Sequence, residues 1–139
     1  MDNLPKIMKY LAVLICFALF IPAAKADGYA LTPEDRAFFN DLKSALIGEQ
    51  KEQVASFVAY PVSVYAGEKE IVLKNAKEFL SKYNQVITAK VRSVIQHQNP
   101  DDLVKNWRGV MVGDGEMWFA RIKPDGAKQF EYKIIAFSP

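Results

Sequence analysis

Apolar residues recur along this chain in three rhythms. Residues 10–21 (YLAVLICFALFI) are an unbroken apolar run. Between Thr32 and Gln98 the apolar positions fall mostly at helical spacing. From Trp107 onward they alternate at the period of two that marks strands. The helical stretch opens with Thr32-Pro33-Glu34-Asp35, where Thr serves as N-cap, Pro fits the first helical position and the acids face the helix dipole. Phe38, Phe39, Leu42, Ala45 and Leu46 then form one stripe, and Gly48 ends the helix. Residues 51–58 read as a second short helix with Val54, Phe57 and Val58 inward.

Tyr60-Pro61 breaks that helix and opens a strand over 62–65. Ala66-Gly67-Glu68 can turn, and residues 69–73 return as a second strand. Asn75-Ala76-Lys77-Glu78 has the spacing of a capping box for a helix whose inward face is Phe79, Leu80 and Tyr83. Another helix is predicted over 88–96, followed by a loop at Asn99-Pro100-Asp101-Asp102. A β-meander closes the chain. Residues 107–112 pair with 116–123 through Gly113-Asp114-Gly115, Pro124-Asp125-Gly126 turns again, and 129–137 is the last strand. Gly109 is placed in a strand beside Trp107 and Met111, so Gly109→Val is expected to overpack that face by ~1–3 kcal/mol. Helices before a hairpin, and more helix before a meander, predict an α+β domain with helices on one face of a curved, mostly antiparallel sheet.

The apolar run has the features of a secretory signal. Lys6 and Lys9 precede it, Pro22 breaks it, and Ala24-Lys25-Ala26 is a small-x-small cleavage site, so cleavage is predicted after Ala26. A helix of that length rises ~18 Å, short for a ~30 Å hydrocarbon core, which weighs against the alternative of an uncleaved anchor. Bulky Val13-Leu14-Ile15 before Cys16 argue against a lipoprotein signal. The predicted organisation is a signal over 1–26 and one domain over 27–139, with no membrane span after cleavage and the periplasm as destination.

Removing the signal changes the charge and the chemistry. It carries Lys6, Lys9 and Lys25 against Asp2, so the 18 bases and 16 acids of the whole chain become equal in the remainder. A neutral domain without a Lys/Arg cluster has little electrostatic pull on phosphate backbones, which disfavours nucleic acid as partner. The single Cys leaves with the signal, and one His remains. Neither a His/Cys metal site nor a Cys–His pair can then be built, and no metal or cofactor is expected.

Two stretches carry a family resemblance. One is Tyr60-Pro61-Val62-Ser63-Val64 through Lys69-Glu70-Ile71 to Asn75-Ala76-Lys77-Glu78-Phe79. The other is the run from Trp107-Arg108-Gly109 through Gly113-Asp114-Gly115-Glu116 to Met117-Trp118-Phe119. With the order of elements, they make the chain resemble the NTF2-like (cystatin-like, α+β cone) superfamily. It is similar in particular to small secreted bacterial members and to accessory domains of some cell-wall L,D-transpeptidases. The resemblance implies a helix-wrapped sheet with an open end. It also implies a role drawn from enzymes, ligand binders, docking modules and toxin-neutralising partners, and a homodimer through the exposed sheet face as one option.

The superfamily's enzymes are expected to need a buried Asp or His–Asp pair with a Tyr or second acid, and no such constellation is legible here. His97 falls at a helix end, and Asp101 and Asp102 in a loop, a poor setting for a shifted pKa. No catalytic residue is assigned. Candidate ligand- or partner-binding residues are Tyr60, Tyr83, Arg108, Glu116, Trp118 and Arg121. Tyr60 and Tyr83, with Tyr65, present apolar bodies with a hydroxyl tip. Arg108 and Arg121 are placed within strands, where they either pair with Glu116 and Glu131 across the sheet or recognise a carboxylate at the cone mouth. Trp107 and Trp118 are expected in the core, with both faces of the Trp118 strand covered. The function these features predict is an exported, non-enzymatic binding protein. It would act through a protein partner, as an immunity protein against a wall-directed toxin or an accessory factor of peptidoglycan enzymes. The alternative is a small-molecule binder or an isomerase- or dehydratase-type enzyme using the cone cavity.

Overall fold

The computed structural model describes residues 29–139, so the segment expected to be a signal, Cys16 included, lies outside the described residues. The first helix, α1 (Pro33–Ile47), begins where Thr32 caps it. A full capping box forms there: the Thr32 side chain accepts from Asp35 N–H, and the Asp35 carboxylate accepts from Thr32 N–H. The stripe Phe38, Phe39, Leu42, Ala45 and Leu46 is buried. Helix α2 (Lys51–Ser56) is shorter than its sequence suggested, because Val58 already belongs to the first strand. Ile134 N–H donates to the Phe57 carbonyl at 2.8 Å, which draws the chain out of the helix there.

Strand β1 (Val58–Ala66) therefore contains Tyr60-Pro61 instead of starting after it. Proline cannot donate to a ladder, and the β1–β6 register is irregular between Val58 and Ser63, so no ladder bond is lost to it. Strand β2 (Lys69–Leu73) has the expected bounds. Helices α3 (Ala76–Ser81), α4 (Tyr83–Val86) and α5 (Ala89–His97) follow. At α3 the Asn75 cap forms, but the Glu78 carboxylate accepts from Lys74 N–H, so the box is only half made. Asn99 to Asp102 holds a short 3-10 turn, Pro100–Asp102.

Strand β3 (Val104–Asn106) is an element that the sequence pattern had concealed. It pairs antiparallel with β4 (Gly109–Val112), Asn106 opposite Gly109. Trp107 and Arg108 are thereby a two-residue turn, not strand residues, and Trp107 is 78% exposed instead of in the core. Strands β5 (Met117–Ile122) and β6 (Glu131–Phe137) complete an open six-stranded sheet in the order β2-β1-β6-β5-β4-β3. All neighbours are antiparallel except β1 and β6.

The fold is α+β, as expected. The helices cover one face of the sheet, where Val62, Val64, Val110, Val112, Phe119 and Ile134 are buried against Phe39, Leu42, Phe79 and Tyr83. Fully burying each such aromatic or aliphatic side chain contributes ~1.5–3 kcal/mol. Among the described residues, no helix is long and apolar enough to cross a membrane.

Candidate functional site

Strand alternation turns every second side chain of the sheet away from the helices. The pairing register lines six of these into one row, a residue from each strand: Val72, Ser63, Ala136, Trp118, Met111 and Val104. Five are apolar. Val72 and Val104, at the sheet edges, are 49% and 51% exposed. This corrects the expectation that the Trp118 strand is covered twice. Met117 and Phe119 point into the core, whereas Trp118 is half-buried on the helix-free face.

The Arg108 guanidinium lies 5.5 Å from the Trp118 ring centre and 5.8 Å from that of Trp107. A cation near two indole faces is held by their quadrupoles. The turn that presents it is set locally, since Asn106 Oδ1 accepts from Arg108 N–H. Gly109 follows with φ +141°, and a Cβ there would come within 2.5 Å of the Phe119 carbonyl oxygen. Close packing of the turn against β5 thus requires glycine.

On the helix side, three elements distant in sequence meet at Asp35. Its carboxylate accepts from Lys105 Nζ at 2.7 Å, Thr32 N–H at 2.8 Å and the Tyr132 hydroxyl at 2.9 Å. Asp35 is buried. Burial by itself raises its pKa. The hydrogen bonds from Lys105, Thr32 and Tyr132, with the Lys105 charge, outweigh that and hold it below the ordinary carboxylate range. Tyr132 moves the other way, raised mainly by burial, with the Asp35 bond and charge adding to it. Asp35 is therefore an ionised, fully partnered acid, not a proton donor at neutral pH.

Two cavities flank this cluster and share Lys105 and Arg121. One, about 180 Å³, lies under the Trp107–Arg108 turn against Gly109 and Ala120. The other, about 460 Å³, runs past Tyr132 and Phe130 to Thr32 and Glu34. Arg121 is placed opposite Tyr132 by the β5–β6 register, and its guanidinium sits 5.7 Å from the Phe130 ring centre.

The expected cross-strand ion pairs are not formed. Glu131 pairs with Lys133 at 3.7 Å and Glu116 approaches Lys90 at 3.9 Å. Among the described residues, neither Arg108 nor Arg121 has a carboxylate within ion-pair distance. Glu116 instead folds back into its own hairpin, where its carboxylate accepts from Asp114 N–H at 2.7 Å. Tyr60 sits at the core edge, donating to the Ala55 carbonyl at 2.8 Å, and burial pushes its pKa up to about 12. Tyr83 is buried among the helices, edge-on to Phe79, and its hydroxyl has no hydrogen-bond partner. Burial raises its pKa, opposed by Arg92 and reinforced by Glu49. His97 is exposed at the end of α5, bonded through Nδ1 to the Ser93 carbonyl at 2.8 Å.

Of the six residues singled out from sequence, Arg108 and Trp118 therefore meet on the helix-free face, and Arg121 lines the cavities on the other. Tyr60, Tyr83 and Glu116 are separate. Sequence reasoning overlooked Asp35, Lys105 and Tyr132. The signal for Asp35 was present: it falls three and four residues before Phe38 and Phe39, on the same buried helix face. Comparison of the chain with known protein families, with curated proteins and with solved structures finds no match.

Proposed function

We propose that this protein acts by contact, as an exported binding module of the cell envelope, with a partner protein seated on the helix-free sheet face. One observation supports this above others: among the described residues, a row that is apolar on five of the six strands crosses a face that no helix covers, and Trp107 and Arg108 stand at its margin. Trp, Met and Arg are the side chains enriched where interfaces concentrate their binding energy. The alternative of a small molecule inside the cone needs a hollow between helices and sheet. Phe39, Phe79, Phe119, Phe137 and Tyr83 pack that space, while Trp118 lies outside it. Asp35, the buried acid such a reading would use, is already saturated with donors.

The α+β cone likeness suggests the partner: a wall-directed toxin that the module blocks, or a peptidoglycan enzyme that it assists. Six strands at ~4.8 Å spacing make a face ~24 Å wide. With strands of ~17–20 Å that face covers about 400–500 Å², modest beside the ~800 Å² per side of a standard interface, so the partner also engages the Trp107–Arg108 tip.

Site-directed photocrosslinking in the envelope tests the reading. A photoreactive residue at Met111 is expected to capture a discrete protein. The same probe at Gln53, exposed on α2, is expected to capture none. Trp118→Asp should abolish the Met111 product. Failure to capture from Met111, or equal capture from Gln53, overturns the proposal.

A further inference from the structure

We propose that the paired cavities around Arg121 form a binding groove for a carboxylate ligand, on the opposite face of the sheet from the apolar row and meeting it at the Trp107–Arg108 turn. The groove opens on the helix side of the sheet, beneath α1. Its cationic wall is Lys105 and Arg121 and its aromatic surfaces are Phe130 and Tyr132, with Trp107 and Arg108 bordering it from the turn at the sheet edge. The acids are Asp35, buried and paired with Lys105 at 2.7 Å, and Glu34 on the far rim. Three cations against two acids leave a local surplus of positive charge in a domain that is neutral once the predicted signal is excluded.

Arg121 is the anchor. A guanidinium carries five N–H donors in a rigid fork, and among the described residues those of Arg121 bond to nothing. Its contact with the Phe130 ring, 5.7 Å from the ring centre, engages none of those donors, and a guanidinium fork with free donors takes a carboxylate through two parallel hydrogen bonds. The Asp35–Lys105–Tyr132 cluster has a positioning role. It fixes Lys105 beside Arg121 and keeps Asp35 from turning to Arg121 as a partner, because each Asp35 oxygen is already engaged. A free organic acid and the side chain or C-terminus of a peptide present the same group.

Binding can be read directly on the whole chain by NMR of the arginine Nε–H signals, with succinate and a glutamate-containing tetrapeptide as probes and sodium chloride as control. Either probe is expected to shift the Arg121 signal saturably, with a smaller shift at Arg108. Arg121→Gln should weaken binding at least about tenfold, and Arg121→Lys by less, since it keeps the charge but loses the fork. Saturation by succinate alone identifies a small acid as the ligand type, and saturation by the peptide alone identifies a protein carboxylate. No saturable shift of Arg121 with either probe in the unmodified chain overturns the proposal. So does an equal shift with chloride.

Discussion

At the scale of single residues, Asp35 shows how a buried charge can be tolerated. Three donors meet its two oxygens, and one carries the compensating charge. Asp35→Asn preserves shape but strands Lys105 and puts an amide where donors converge. A loss of about 2–3 kcal/mol is expected at pH 7, read by urea unfolding. The pH dependence has a definite sign. The folded pKa of Asp35 lies below its unfolded value of ~3.9, so the native state binds this proton less readily than the unfolded chain does. Its stabilisation is complete above about pH 5 and drains away as pH falls below about 4. Asp35→Asn should therefore cost less at pH 3 than at pH 7. An equal cost at both would mean that the ionised form is not what the cluster stabilises.

At the scale of elements, the helix starts and the hairpin tips were legible because their chemistry is local. Thr32-Pro33 and the stripe from Phe38 to Leu46 specify α1 without help from the rest of the chain. Strand β3 was not legible, since three residues are too few to establish a period. That omission misplaced Trp107. A large apolar residue next to a strand pattern reads as core, yet the pairing of Asn106 with Gly109 leaves Trp107 and Arg108 outside the ladder. The expected cost of enlarging Gly109 survives with a different cause. Crowding by Trp107 is irrelevant, because Trp107 faces solvent. The obstacles are a φ of +141° and the Phe119 carbonyl 2.5 Å from any Cβ. Even Gly109→Ala should then cost about 2 kcal/mol or more, since a backbone oxygen cannot rotate away. A melting temperature within a degree of the parent would refute that account of the turn. The meeting of Asp35 with Lys105 and Tyr132 spans sequence separations of 70 and 97 residues, and no local period encodes it.

At the scale of the whole molecule, the sheet has two unlike faces, and adjacent residues of one strand can report on both. Phe119 is completely buried against Phe38 and the core, with ring centres 5.0 Å apart. Its truncation to Ala should cost ~3–5 kcal/mol, the usual range for a large aromatic in a packed interior. Trp118 is one residue earlier and larger, but it lies on the helix-free face, paired with Met111 and beneath Arg108. Trp118→Thr keeps strand propensity but removes a ring that its sheet neighbours and Arg108 already partly bury, so it should cost ~1–3 kcal/mol, less than Phe119→Ala. The comparison separates an uncovered face from one occupied in solution. If Trp118→Thr costs as much as Phe119→Ala, and more at higher protein concentration, a second copy covers the row and mass action supplies the difference. If the cost is below that of Phe119→Ala and independent of concentration, the face is free in the purified chain, and its apolar row is available to the partner that the crosslinking experiment seeks.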